Sequence, residues 1–126
     1  MADGKIVEEK DVGQFVMVPF EFIRCVKYMK KKHQARWLYV VLLHFRNASS
    51  GKAWPSYQTL HEWTGLTRQS ISDGLKELEY WGWLKRYRRF GSSTIYYVYM
   101  VRQRAQADLD HEARKARAVE ASYESP

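Results

Sequence analysis

The stretch Thr64-Gly65-Leu66-Thr67 constrains this chain more than any other, because it holds a helix stop and a helix start within four residues. Gly65 suits the left-handed turn that closes a helix. Thr67 carries an oxygen that can accept from the orphan amides of a new first turn. Upstream, Ser56 is an equally good cap behind Pro55. Ser56 to Trp63 therefore reads as a short helix, with Tyr57, Leu60 and Trp63 at buried spacing. Downstream, Ile71, Leu75 and Leu78 recur at intervals of four and three, which predicts a second helix over 67–81 with one face committed to the core.

Gly82 is placed to cap that helix. Two strand-like runs follow, Trp83 to Phe90 and Thr94 to Val101, joined at Gly91-Ser92-Ser93. The first packs Lys85, Arg86, Arg88 and Arg89 around Tyr87. The second has strong strand propensity but is apolar on both faces. One face should meet the core; the other needs a cover from the first strand's neighbourhood, the tail helix or a second subunit. Helix, tight turn, helix and basic hairpin together predict a winged helix-turn-helix, a mainly α fold with a small β-hairpin wing (α+β).

The rest of the chain fits around this unit. Residues 1–14 are polar and aperiodic and read as a flexible N-terminal arm. Phe15-Val16-Met17-Val18, ended by Pro19, reads as a small edge strand. A short helix is expected near 19–29, with Phe20, Phe22, Ile23, Val26 and Tyr28 on a mixed apolar face. Lys30-Lys31-Lys32 closes it, where the helix dipole favours cations; contact with phosphate explains these lysines equally well. His33 to Asn47 reads as a helix apolar nearly all round, hence central. Asn47 to Lys52 is a loop by composition. The domain is expected over 15–101, with a charged helical tail or linker at 102–126. Its apolar stripe of Ala105, Leu109, Ala113 and Ala116 is too thin for an independent coiled coil; a solvated helix, a dimer arm or a link to a further domain all fit.

Charge points to the partner. Residues 24–101 hold fourteen bases against four acids, Glu62, Asp73, Glu77 and Glu79, while the ends are neutral or acidic. A basic centre of that kind suggests a polyanion, although a solvated basic surface gives the same count. No apolar run is long enough to span a bilayer, and the start lacks the pattern of a secretory signal. With Cys25 the only cysteine and no export signal, a bacterial cytoplasmic setting is expected. Four scattered histidines and one cysteine give no metal pattern, and His61-Glu62 lacks the second histidine of a zinc-protease helix. No catalytic set and no glycine-rich phosphate loop stand out, so neither an enzyme nor a cofactor is expected.

The outward side of the second helix carries Arg68, Gln69, Ser70, Ser72, Asp73 and Lys76. It is short, polar and rich in donors, with no acid before Asp73. A solvated face would look alike; the basic hairpin close behind favours a groove-reading face. The segments Trp54 to Leu60, Thr64 to Ile71 and Leu75 to Leu84 closely resemble the winged-helix domains of plasmid and phage replication initiators, also called replisome organisers. The resemblance covers about residues 15–100. It implies that Thr67, Arg68, Gln69, Ser70 and Ser72 lie at the major-groove face, flanked by Lys76. It implies a backbone-contacting set of Ser56 and Tyr57 with the wing residues Lys85, Arg86, Arg88, Arg89, Ser92 and Ser93. Trp81 and Trp83 stand where smaller residues are usual, and Tyr96, Tyr97 and Tyr99 crowd the last strand, which suggests a wider core or an interface. The partners this implies are double-stranded DNA, a second copy of the chain and a replication or partition protein. A small transcriptional regulator, a partition protein and a protein-docking winged helix without DNA binding are the alternatives.

Overall fold

The centre of the fold is the contact between two helices, and a missing side chain sets how close they come. The computed structural model describes residues 14–88 and 94–124. In chain order the elements are α1 (Phe20–Val26), α2 (Lys32–Phe45), β1 (Lys52–Ala53), α3 (Tyr57–Thr64), α4 (Arg68–Tyr80), β2 (Leu84–Tyr87), β3 (Ile95–Val98) and α5 (Gln106–Glu124). Helix α2 buries Ala35, Leu38, Tyr39, Val41, Leu42 and Leu43 and packs against α1, α3, α4 and the sheet. Helix α4 answers with Ile71, Gly74, Leu75 and Leu78. A Cβ at Gly74 would lie 2.5 Å from Leu38 Cδ1 and 2.9 Å from Gln34 Cβ, so hydrogen there is what lets α4 seat on α2.

The sheet is antiparallel in the order β1-β3-β2, with Ala53 and Arg86 both opposite Tyr96, and Lys52 and Lys85 both opposite Tyr97. Tyr96 and Val98 face the core and Ile95 and Tyr97 face outward, as the pleat requires. The chain enters the sheet through a Schellman turn after α4. Trp81 is the C-cap, Gly82 follows at φ +85°, and the Gly82 and Trp83 amides donate to the carbonyls of Glu79 and Leu78. Trp83 is thereby driven into the centre of the core. Its ring meets Phe22 at 5.2 Å and Tyr39 at 5.7 Å, while Phe22 stacks on Tyr39 at 3.9 Å. The Tyr39 hydroxyl donates to the Tyr99 carbonyl at 2.7 Å. This mainly helical assembly with its small antiparallel sheet is a winged helix-turn-helix.

Several expectations are corrected. Residues 15–18 form no strand; the edge of β3 is taken by β1, inside the stretch read as loop, and this pairing gives β3 part of its cover. Val16 and Val18 pack on the core, while Phe15 and Met17 are exposed. Helix α1 ends at Val26, and the lysines that were to close it stand instead at the start of α2, with Lys31 as its N-cap. The Lys31 amide donates to Glu77 Oε1 at 3.1 Å, which places a carboxylate at this helix start. On α1 only Phe22 and Cys25 are buried; Phe20 and Ile23 are exposed. Trp63 is half exposed and lies against His44 and Phe45 at the surface. On α5 the residue that docks is Ala107, and Leu109 is exposed. Trp83 joins the core and Trp81 packs partly against it.

Replacing Gly74 with alanine tests the helix contact. Gly74→Ala should raise helix propensity yet lower stability by about 1–3 kcal/mol, the cost of overpacking, seen as a lower denaturant midpoint. A gain in stability would show that α2 and α4 can separate without penalty.

Candidate nucleic-acid interface

The turn between α3 and α4 is built by side chains that cap helices. Ser56 Oγ accepts from the Thr59 amide at 3.1 Å, and Thr67 Oγ1 accepts from the Ser70 amide at 3.1 Å. Gly65 turns the chain at φ +73°. His61 Nδ1 donates to the Leu66 carbonyl at 2.7 Å, and the Leu66 amide donates to Thr64 Oγ1 at 3.1 Å, closing the turn. Thr67 also donates its hydroxyl hydrogen to Ser70 Oγ at 3.1 Å. Thr67 and Ser70 are therefore engaged with each other, whereas Arg68, Gln69 and Ser72 are turned to the surface.

Those three side chains line one wall of a groove of 790 Å³. Arg88 and Thr94 line the other wall, and Ser56 and Tyr57 stand at its α3 end. The Arg68 guanidinium lies over the Tyr57 ring at 5.3 Å, an attraction that orients the cation without consuming its donors. Gln69 Nε2 donates to Asp73 Oδ1 at 2.9 Å. The amide group has two hydrogens, so one stays free along with the carbonyl oxygen. The groove is also lined by Tyr96, whose hydroxyl is held neutral: burial pushes its pKa up to about 12, with Tyr57 adding in the same direction. No acid stands in the first turn of α4, so its unpaired amides add positive potential at this end.

The wing sorts its bases by the pleat. Arg86 is on the core side of β2, opposite Tyr96. Its guanidinium is bound to Glu79 of α4, Nε at 2.9 Å and a terminal nitrogen at 2.6 Å from Oε1, and its amide donates to Oε2 at 3.3 Å. The expectation that Arg86 serves the wing as a free phosphate contact is thus corrected: it ties the wing to α4. Lys85 is on the opposite face, 5.2 Å from the Tyr87 ring and across from Tyr97, which Lys52 also approaches at 5.5 Å. The Tyr87 hydroxyl beside it raises the Lys85 pKa. Arg88 alone of these bases lines the groove. Arg89, Ser92 and Ser93 lie outside the described residues. Lys76 lies away from the groove, in a second cleft against α5. Thr94 and Tyr96 were absent from the sequence-derived site; the residue pairing of β2 with β3 is what brings them beside Arg88, and no local motif announces it.

Comparison with known proteins agrees with this geometry. Residues 30–84 match a helix-turn-helix domain family. No curated protein and no solved structure matches the chain. The matched stretch runs from the turn before α2 to the first residue of β2, so it contains the capped turn and the whole of α4. The chain carries a helix-turn-helix domain of the DNA-binding class. Among the described residues, no group of three histidine, cysteine, aspartate or glutamate side chains could hold a metal ion, and no helix is long and apolar enough to cross a membrane.

The Arg86–Glu79 tie has a measurable consequence. Arg86→Met should lower stability by about 1–3 kcal/mol, since it strands a partly buried carboxylate, and Glu79→Gln should do less harm because its amide can still accept. Urea denaturation of both variants checks this. If Arg86→Met matches the parent, the pair is a surface contact of no structural weight.

Proposed function

We propose that this protein binds duplex DNA sequence-specifically, with the start of α4 in the major groove and the wing on the flanking backbone. The observation that supports this most is the shared groove, in which Arg68, Gln69 and Ser72 face Arg88 across one concave surface. Arg68 is the reader of guanine and Gln69 of adenine, the pairings their donor and acceptor patterns allow. Thr67 and Ser70 hold the helix start in register, and Ser56 and Tyr57 border the site, Tyr57 aligning Arg68. Arg88, Lys85, Arg89, Ser92 and Ser93 supply the backbone contacts, which give affinity but carry no sequence information. The chemistry is binding; no step of catalysis is assigned to these residues.

The resemblance to plasmid and phage initiators, together with the helix-turn-helix match, supports a role in replication initiation over transcription control or partition. A homodimer on repeated half-sites follows from that reading. Gel shifts with plasmid or phage origin DNA against random DNA test both levels. Retardation of origin DNA alone supports initiation, retardation of all duplexes alike removes the specificity, and none at low salt removes DNA binding.

Duplexes selected from a random pool then separate the residue roles. Arg68→Ala should cost about 1–3 kcal/mol on the selected site and relax one base position. Arg88→Ala should weaken selected and random duplexes alike and lower the salt slope by about one. Equal losses by both variants on both DNAs would contradict this division.

A further inference from the structure

We infer that the cleft formed by the turn before α2, the distal half of α4 and α5 is a second phosphate-binding site. It takes the DNA backbone on the flank of α4 opposite the wing, and it rests on the DNA-binding reading above. At helical spacing, Arg68 and Ser72 stand on one flank of α4's outward face, Asp73, Glu77 and Tyr80 on the other, and Gln69 and Lys76 between them. A helix seated in the major groove has a phosphate strand on each side, and the groove with Arg88 accounts for one side only.

The cleft has a volume of 1110 Å³ and collects Lys30, Lys31, Lys76, Arg114 and Lys115. Three carboxylates stand among them, and each is already held by neutral donors. Glu77 accepts from the Lys31 amide at 3.1 Å and the Trp81 indole at 2.8 Å. Asp110 accepts from the Tyr80 hydroxyl at 2.6 Å and from Gln106 at 2.9 Å. Asp73 accepts from Gln69 at 2.9 Å. Among the described residues the four lysines form no ion pair, and Arg114 reaches only the Asp110 carbonyl of its own helix, at 3.4 Å. Five unpaired cations against three engaged carboxylates leave a positive surface that is unanswered within the protein.

Helix α5 is held to this position from its first turns. Ala107 is buried, Arg102 pairs with Asp108 at 2.8 Å, and the Tyr80–Asp110 hydrogen bond fixes α5 directly to α4. Arg114 lies one turn beyond Asp110, with Lys115 next to it, on a stretch that is otherwise exposed. Tyr80 is thus a positioning residue: it touches no phosphate but sets where these two cations stand.

The test measures binding of the full chain to a duplex selected from a random pool, as a function of salt. Arg114→Gln with Lys115→Gln, and separately Lys30→Gln with Lys31→Gln, should each lower the salt slope by about one to two, near 0.9 per phosphate released. Arg24→Gln with Arg36→Gln removes the same charge outside the cleft and should leave the slope unchanged. Tyr80→Phe removes no charge, yet should lower the slope in the same direction as the α5 pair. Parental slopes in both cleft pairs, with the parent still binding, would overturn the second site and leave the groove reading standing. Equal slope losses in the control pair would also overturn it, as would a parental slope in Tyr80→Phe. Failure of the parent to bind any duplex at low salt would remove the groove reading and this one with it.

Discussion

The close seating of α4 on α2 is the contact on which the rest of this structure depends. Gly74 removes the side chain that would hold the helices apart, and Leu38 and Gln34 fill the space. Two further ties then reference everything else to α4. Glu77 draws in the start of α2 and the Trp81 ring, and Glu79 draws in the wing through Arg86. The Schellman turn after Tyr80 sends Trp83 straight into the aromatic centre between Phe22 and Tyr39. The reading helix and the wing are consequently fixed to one core through contacts a few residues apart. Docking two surfaces at once on a duplex then loses less ordering entropy than it would with a free wing.

The caps at Ser56 and Thr67 were legible because each is a local event: an oxygen, an amide three residues on, and a glycine after the last turn. The core face of α4 was legible because Ile71, Leu75 and Leu78 repeat at helical spacing. What was not legible depends on partners distant in sequence. Strand β1 is two residues long, too short to show alternation, and exists because β3 offers it an edge. The same pairing removes the need for an edge strand at 15–18. Gly74 reads in sequence as a weak point in a helix, and only the approach of α2 turns it into a packing device. Tyr80 and Asp110 stand thirty residues apart, with nothing local to either to announce the bond. The lysine run at 30–32 has no intrinsic preference for ending one helix over opening the next; Glu77, from α4, supplies the carboxylate at that helix start.

The wing shows how a dense charge run misleads. Lys85, Arg86 and Arg88 look equivalent when counted along the chain, yet the pleat gives them three environments. Arg86 turns inward to Glu79, Lys85 turns outward beside Tyr87, and Arg88, beyond the last paired residue of β2, reaches the groove. The period of two was present in the sequence and distinguishes Lys85 from Arg86. The carboxylate waiting on the inner side was not, because it comes from α4.

Acids on a helix meant for a polyanion seem to work against it, and α4 carries Asp73, Glu77 and Glu79. Their placement resolves this. All three lie beyond the first turn, so the helix start keeps its positive end. Each is also engaged inside the protein: Asp73 orients Gln69, Glu77 anchors α2 and Trp81, and Glu79 anchors Arg86. A carboxylate that accepts fixed donors presents less negative potential outward than its formal charge suggests, since those dipoles point their positive ends at it. The acids of α4 thus act as struts. They spend their charge in holding the reading helix, the wing and the turn before α2 together, while Arg68, Lys76 and Arg88 keep theirs for the solvent side.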